Sequence, residues 1–518
     1  MIPLTEALPA PFPLPPSFPP SLLAGSREGL AGVSAALADV VGTVLNARRP
    51  AGPIPAGTPS DVLAAAAGTL GPARLPAEGV GAEAALRLLA TVLVRHGIDL
   101  AHPRAAAHLQ PPPLAVAVAA DTLASAANAS LDTYDSGPSA LAVERWLIGV
   151  LTRLAGLGER ADGVLTPGGS LSNLLGLLLA RDAAAHRLGV DAREDGVAAL
   201  PGPVVFCSEL AHFSVQRACA ALGLGEKAVH LVPTDERWRM RPAALAAALD
   251  GLGPGRTPLA VVATAGTTDF GSVDPLPELA EIAAGHGIWM HVDAAYGFGA
   301  LFSEALAGRL AGLELADSIT LDLHKIGWQP AATSVLLVSD PTAFTALDRE
   351  VPYLNPADDS EAGYDGLLGR SLQTTRRPDA VKAAATLLAY GRSGMGRMVD
   401  VCHGLARHAE RRILAEPELE LVSPAELTTV VFRYRGADPD PDAADRLNGA
   451  LRRRLLETGS ALIGRTEVRT AGPGSTARVC LKFTLLNPTA TADDLDGLVD
   501  VVLDAGRTCE RLVEESAA

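Results

Sequence analysis

Cysteine is scarce in this chain, and what there is does not pair. The five residues among 518, Cys207, Cys219, Cys402, Cys480 and Cys509, are odd in number and nowhere form a CxxC. That excludes a disulfide framework and a zinc ribbon and suits reduced thiols in a cytoplasm. No group of histidine, cysteine and carboxylate has metal-ligand spacing, so no metal is expected. Basic charge is also short: 43 lysines and arginines against 59 acids leave a net charge of −16, the wrong sign for gripping nucleic acid. No uncharged apolar run reaches membrane-spanning length without Pro or Gly. The N-terminus lacks the positive start of a secretory signal, with eight prolines in its first 20 residues and no basic residue before Arg27. Internal repeats are absent. What remains is a soluble, acidic, cytoplasmic protein with no nucleic-acid or membrane partner.

There is ample material for a core. Hydrophobic residues make up 48% of the chain, and its length predicts two or three domains. Residues 1–24 read as an extended Pro-rich arm, in which Phe12, Leu14, Phe18, Leu22 and Leu23 suit packing on a partner subunit. Helical patterns follow at 31–46, 60–70 and 82–95. From 204 to 337 strand and helix alternate, which predicts an α/β fold with a mostly parallel sheet and helices on both faces. A long helix over 379–414 links this to alternating strands and helices, a small α+β unit. The predicted divisions are an N-terminal segment 1–100, a large domain 101–385 and a small C-terminal domain 386–518.

The chemistry gathers around SITLDLHKIGWQP. Lys325 follows a β-type run, where a desolvated amine can lose its proton, attack carbonyls and hold an aldehyde as a Schiff base. Thirty-two residues earlier, Asp293 ends the predicted strand in IWMHVDAAYG. A carboxylate at a strand's carboxyl end can pair with a protonated pyridine nitrogen, the partner that pyridoxal phosphate needs. In TPGGSLSNLL, Gly169 and Ser170 precede a helix whose positive end can take a phosphate. His212 stands where a strand gives way to a helix and can lie over a planar ring; Thr267 and Thr268 fall in a Gly-Thr-Thr turn that can donate to it. HPRAAAHLQPPP sets His108 and Gln110 beside a rigid Pro run, as suits a substrate-facing loop. Residues 351–377 show no period, carry Tyr353 and Tyr364, and end at Arg376 and Arg377; an aperiodic stretch of that length is usually functional.

Taken together, HPRAAAHL, GGSLSNLLGLLLARD, AHFSVQRA, ATAGTTDFGSVDPL, HVDAAYG, ADSITLDLHK and SLQTTRR resemble the group II pyridoxal-phosphate-dependent amino-acid decarboxylases, in the family's order and spacing from about residue 85 to 395. The resemblance implies fold type I, a homodimer, and the following roles. Lys325 holds the cofactor as a Schiff base, Asp293 meets its ring nitrogen and His212 stacks on its ring. Gly169 and Ser170 take the phosphate, with His324, Thr268 and Ala295 nearby. Tyr353 is the mobile-loop tyrosine that returns a proton to Cα, and His108, Gln110 and Arg376 face the substrate. Two departures stand out: Ala105-Ala106 replaces the aromatic pair after HPR, and Asp322-Leu323 replaces Asn-Pro before His-Lys. Both are similar to the subgroup acting on diamino acids, which ranks 2,4-diaminobutyrate first, lysine or ornithine next, then glutamate and aromatic amino acids. Oxygen-dependent conversion to an aldehyde and a scaffold without turnover are the rival readings; the intact Tyr353 and His212 speak against the first, and Lys325, Asp293 and His212 together against the second.

Overall fold

The computed structural model describes residues 18–436, 440–469 and 476–517; the arm's Phe12 and Leu14 lie outside them. The chain opens with α1 (Arg27–Asn46), α2 (Pro59–Leu70) and α3 (Ala82–Arg95). Ser26 caps α1 through its side chain. Thr58 and Asp61 form a capping box at α2, with Pro59 at its first position, where its missing N–H costs nothing. α1 and α2 both lean on α3, yet Leu45 on α1 is 78% exposed and Leu93 on α3 72%. By length and composition alone α1 could cross a membrane, and little of it is buried.

After β1 (Ala105–Ala106), α4 (Ala115–Ala127) and α5 (Pro138–Leu154) comes the main alternation. It runs β2 (Asp162–Thr166), α6 (Gly169–Arg187), β3 (Pro203–Ser208), α7 (Ser214–Ala221), β4 (Val229–Val232), α8 (Pro242–Asp250), β5 (Thr257–Thr264), α9 (Leu276–Gly285), β6 (Trp289–Asp293), β7 (Ser318–Asp322) and β8 (Ser334–Val338). These strands make one seven-stranded sheet in the order β2-β8-β7-β6-β5-β3-β4. It is parallel from β7 to β4, with β8 antiparallel to both neighbours. Strand alternation sends side chains to opposite faces. Val204 and Phe206 of β3 join the core with α5, α8 and α9, whereas Val205 and Cys207 join the core with α6 and α7. Both faces are covered, which explains why the strands read as continuous apolar runs.

Beyond β8, α10 (Ala357–Glu361) breaks up the stretch with no sequence period. α11 (Ala380–Leu414) is not the single helix expected: Gly391, at φ 60 and ψ −179, interrupts it, a conformation that favours glycine. Then follow β9 (Leu419–Ser423), β10 (Thr429–Tyr434), α12 (Pro441–Glu457), β11 (Leu462–Arg469), β12 (Ala477–Thr484) and α13 (Ala492–Ala517). They form the small sheet β1-β11-β12-β10-β9. β1 joins it by parallel pairing of Ala105 with Leu462 and Ala106 with Ile463, so the HPRAAAHL segment belongs to the C-terminal sheet's edge.

Candidate active site

The carboxyl ends of β5, β6 and β7 stand side by side, with Thr264 opposite Asp293 and Asp293 opposite Thr320. Above them opens a cavity of about 330 Å³, at the sheet edge where open α/β folds take their ligands. Lys325, Asp293, His212, Gly169, Ser170, Thr268, Ala295 and His324 all line it.

Helix α6 begins at Gly169, so Gly169 and Ser170 lie in its first turn rather than before it as the sequence predicts. First-turn N–H groups have no intrahelical acceptor and sit at the positive end of the helix dipole. Gly168 holds φ 136, and a Cβ on Gly169 would stand 2.8 Å from Asp322 Oδ1. Only glycine fits this cradle.

Asp293 is buried. Its Oδ2 accepts from Asn173 Nδ2 at 2.8 Å and its Oδ1 from the Ala295 N–H at 3.1 Å. Behind it runs a chain of hydrogen bonds whose direction is set at one end by a group that can only donate and at the other by one that can only accept. Trp289 Nε1 donates to Ser318 Oγ (2.8 Å), which is then free to donate to His291 Nδ1 (2.7 Å). His291 Nε2 faces Asn173 Oδ1 (3.0 Å) and donates to it. The Asn173 amide nitrogen is thereby turned to Asp293 and to Ser214 Oγ, each at 2.8 Å. Ser214 Oγ passes its own hydrogen to His212 Nδ1 (2.8 Å), which leaves the proton of His212 on Nε2. Burial holds His291 neutral, its pKa pushed down to about 4. His212 also lies below the usual histidine range, chiefly through burial; Asp293 opposes that shift and Lys325 adds to it.

Lys325 Nζ pairs with Asp322 Oδ2 at 2.9 Å, and Ser334 Oγ donates to Asp322 Oδ1. His324 Nδ1 lies 3.1 Å from the Thr333 carbonyl. Thr264 Oγ1, at the cavity floor, is buried and has no hydrogen-bond partner.

The remaining residues named from the sequence lie elsewhere. Tyr353 is 84% exposed and does not reach the cavity. His108 and Gln110 line a separate crevice with Leu462, Thr484 and Asn487, because β1 carries their segment to the C-terminal sheet. Arg376 is buried against Glu144 (2.7 Å), since a buried guanidinium needs a carboxylate, and it does not line the cavity. Conversely, Asn173, Ser214, His291 and Asp322 were not named as site residues. Position alone could have suggested two of them: Asn173 is one helical turn past Gly169, and His291 shares the face of Asp293 at i−2.

The residues present fit pyridoxal phosphate. A lysine for its aldehyde, a buried carboxylate for its ring nitrogen, a neutral imidazole and a glycine cradle at a helix start converge on one cavity, with the Thr264 hydroxyl still unpaired.

Residues 85–435 match the pyridoxal-dependent decarboxylase conserved domain. An L-2,4-diaminobutyrate decarboxylase of Rhizobium meliloti (strain 1021) is 42% identical over 439 residues, 84% of this chain and 84% of that protein. One from Acinetobacter baumannii is 36% identical over 82% of this chain and 84% of its own length. Among solved structures, one is described as the glutamate decarboxylase domain of diaminobutyrate-pyruvate transaminase and L-2,4-diaminobutyrate decarboxylase from Vibrio parahaemolyticus. It superposes with a TM-score of 0.80 at 31% identity, covering 93% of this chain and 96% of that one. Mouse CSAD gives a TM-score of 0.82 at 27% identity, covering 92% and 99%.

Proposed function

The chain belongs to the pyridoxal-dependent decarboxylase family, and from that premise we propose that its substrate is a diamino acid, 2,4-diaminobutyrate first. It is a pyridoxal-phosphate-dependent amino-acid decarboxylase. The observation that carries the substrate reading is the 42% identity to a diaminobutyrate decarboxylase across 84% of both chains. The acidic run Asp358, Asp359 and Glu361 on α10, with Asp365 beyond it, supports it as a field that favours a distal ammonium over a distal carboxylate. Release of CO₂ and amine from 2,4-diaminobutyrate, ornithine, lysine, glutamate and aromatic amino acids tests the reading. Turnover of glutamate or an aromatic substrate tenfold faster than of any diamino acid would overturn it.

Bound pyridoxal phosphate supplies an electron sink for the pair released when CO₂ leaves Cα. The roles we assign to this chain are to hold, orient and move protons. Lys325 Nζ would hold the cofactor through its aldehyde carbon. The Gly169 and Ser170 N–H groups hold the phosphate at the start of α6. Asp293, whose two oxygens both accept hydrogen bonds, would hold a proton on the ring nitrogen. His212, neutral and fixed by Ser214, covers a ring face without adding a charge that would compete with that proton. Tyr353 delivers a proton to Cα once its loop closes; its exposure in the single chain means that a movement, or a second subunit, must bring it in.

A homodimer is the second part of the proposal. Leu30, Leu37, Val41 and Leu45 on α1 and Leu89 and Leu93 on α3 are exposed, an apolar area that a partner subunit would cover more economically than a bilayer, given Asp39 and Glu28 in α1. Cytoplasmic location is supported by five free, buried thiols. Sedimentation of the full chain, and of one lacking residues 1–24, checks the assembly; a fully active monomer would sink it.

A further inference from the structure

Asp322 is a carboxylate for which the mechanism above has no use. It ends β7 with its side chain 4% exposed, paired at 2.9 Å with Lys325 Nζ, and Ser334 of β8 donates to it. The 2.8 Å from its Oδ1 to a Cβ built on Gly169 puts the carboxylate directly against the turn that begins α6, the cavity's anion cradle. Lys325 is the one lysine or arginine among the described residues lining the cavity. The other titratable groups there are His324, with Nε2 3.7 Å from Asp322, His212 beside α7, Tyr296 and Asp293 on β6.

With Lys325 unmodified, the 2.9 Å pair supplies Asp322 with a counter-ion. Once Nζ is bonded to the cofactor's aldehyde carbon it no longer stands as a free ammonium against Asp322, while a phosphate enters the cradle. The carboxylate and the phosphate would then face each other in a buried site, with the Ser334 hydroxyl as the hydrogen-bond donor left to Asp322 and His324 Nε2 3.7 Å away. A buried, unpaired charge neutralises more readily than it persists. Resting on the cofactor reading above, we propose that Asp322 makes capture of the cofactor's phosphate proton-linked: the loaded protein carries one more proton on the Asp322–His324 pair than the empty protein.

Pyridoxal, which has the aldehyde and ring but no phosphate, separates this from any effect on Lys325. Cofactor-free protein is titrated with each compound from about pH 7 to 9, above the phosphate's second ionisation near about 6, and imine absorbance is read. Affinity for pyridoxal phosphate should fall with pH more steeply than affinity for pyridoxal, by up to about tenfold per unit, the limit for one linked proton. Asp322→Asn should remove that extra slope, tighten binding of pyridoxal phosphate at pH 8 and leave the pyridoxal slope unchanged. Binding heats of the unmodified protein in two buffers of different ionisation enthalpy need no variant. They should give about one more proton taken up with pyridoxal phosphate than with pyridoxal. Equal slopes, equal proton uptake, or weaker pyridoxal phosphate binding in Asp322→Asn would each overturn the proposal while leaving the cofactor in place. Absence of an imine with either compound in the unmodified protein would overturn the cofactor reading as well.

Discussion

Replacing Asp293 with asparagine changes one atom and asks two separate things of the site. Locally, both carboxylate oxygens are acceptors, one for Asn173 Nδ2 and one for the Ala295 N–H. The Asn173 amide cannot turn to help, because neutral His291 donates to its oxygen. An asparagine at 293 must therefore present its NH₂ to one of two N–H donors, and one buried hydrogen bond becomes a donor–donor contact. That costs about 1–3 kcal/mol of folding stability. Chemically, an uncharged amide cannot hold a proton on a pyridine nitrogen, so the electron sink weakens in the transition state. Loss of one preorganised charge of this kind is worth about 3–4 kcal/mol, or about 10²–10³ in kcat. Melting followed by circular dichroism reads the first term, imine absorbance reads cofactor occupancy, and amine release reads kcat. The expected result is a somewhat less stable protein that still forms the imine and turns over about 10²–10³ times more slowly. A kcat within about fivefold of the parent, at full occupancy, would refute the electron-sink role of Asp293.

Lys325→Ala should abolish both the imine absorbance and turnover, and should lower the melting temperature without unfolding the protein, because it strands buried Asp322; retained imine absorbance would move the Schiff base elsewhere. Tyr353→Phe should slow protonation at Cα and raise aldehyde and peroxide beside CO₂, and an unchanged amine yield would move the proton donor to another group. Changing Asp358 and Asp359 together to Asn should lower kcat/KM for a diamino acid and weaken its salt dependence; an equal loss for a neutral substrate returns the acidic run to plain surface. Acid stability involves two opposed groups. Burial lowers the pKa of His291 to about 4, so its contribution is complete above the unfolded value of about 6.5 and is lost as pH falls towards 4. Burial raises that of Asp274 to about 6, so its contribution is present below the unfolded value of about 3.8 and is lost as pH rises through 6. Asp274→Asn should therefore unmask a loss of about 3 kcal/mol on acidification from pH 6.5 to 4, read by denaturant unfolding; a flat profile in this variant would discount His291.

The sheet was legible because its strands are buried on both faces and carry their own punctuation. β6 and β7 end on Asp293 and Asp322, and a strand's carboxyl end is where ligands sit. The gathering of Lys325, Asp293, Gly169 and His212 at one cavity was legible for the same reason: each stands at a junction between a strand or turn and the next element. Asn173 and His291 were not legible, because their function is to orient other residues. Asn173 reaches Asp293 across 120 residues of sequence and His291 across 118, so that only their position one turn past Gly169 and two residues before Asp293 marks them locally. His108 and Gln110 line a separate crevice in the single chain, because turn composition locates a loop without saying which sheet it joins; pairing of Ala105 with Leu462 decides that. The helix over 379–414 hid its break because a single Gly391 in an amphipathic run reads as a tolerated residue.

The small sheet does not stand apart from the cavity. Lys482 on β12 donates to the Thr268 carbonyl (3.3 Å) and pairs with Asp269 (2.8 Å), while Thr466 on β11 donates to the other oxygen of Asp269 (2.7 Å). Leu427 fills the space where side chains on Gly266 or Gly271 would stand. On the other side of the turn, Tyr296 reaches Thr428 and Thr429, and Glu426 pairs with Arg237 and Arg309. All but the two Glu426 pairs join the C-terminal part of the chain to the Gly-Thr-Thr turn and its neighbours or to the residues just past Asp293. Lys482 is buried with the partly exposed Asp269 as its counter-ion, so removing Asp269 leaves an uncompensated buried charge on Lys482, and breaking a buried pair in this way is costly. The small sheet thus buttresses the turn that carries Thr268 and the residues just past Asp293, and that side of the cavity is held from both halves of the chain.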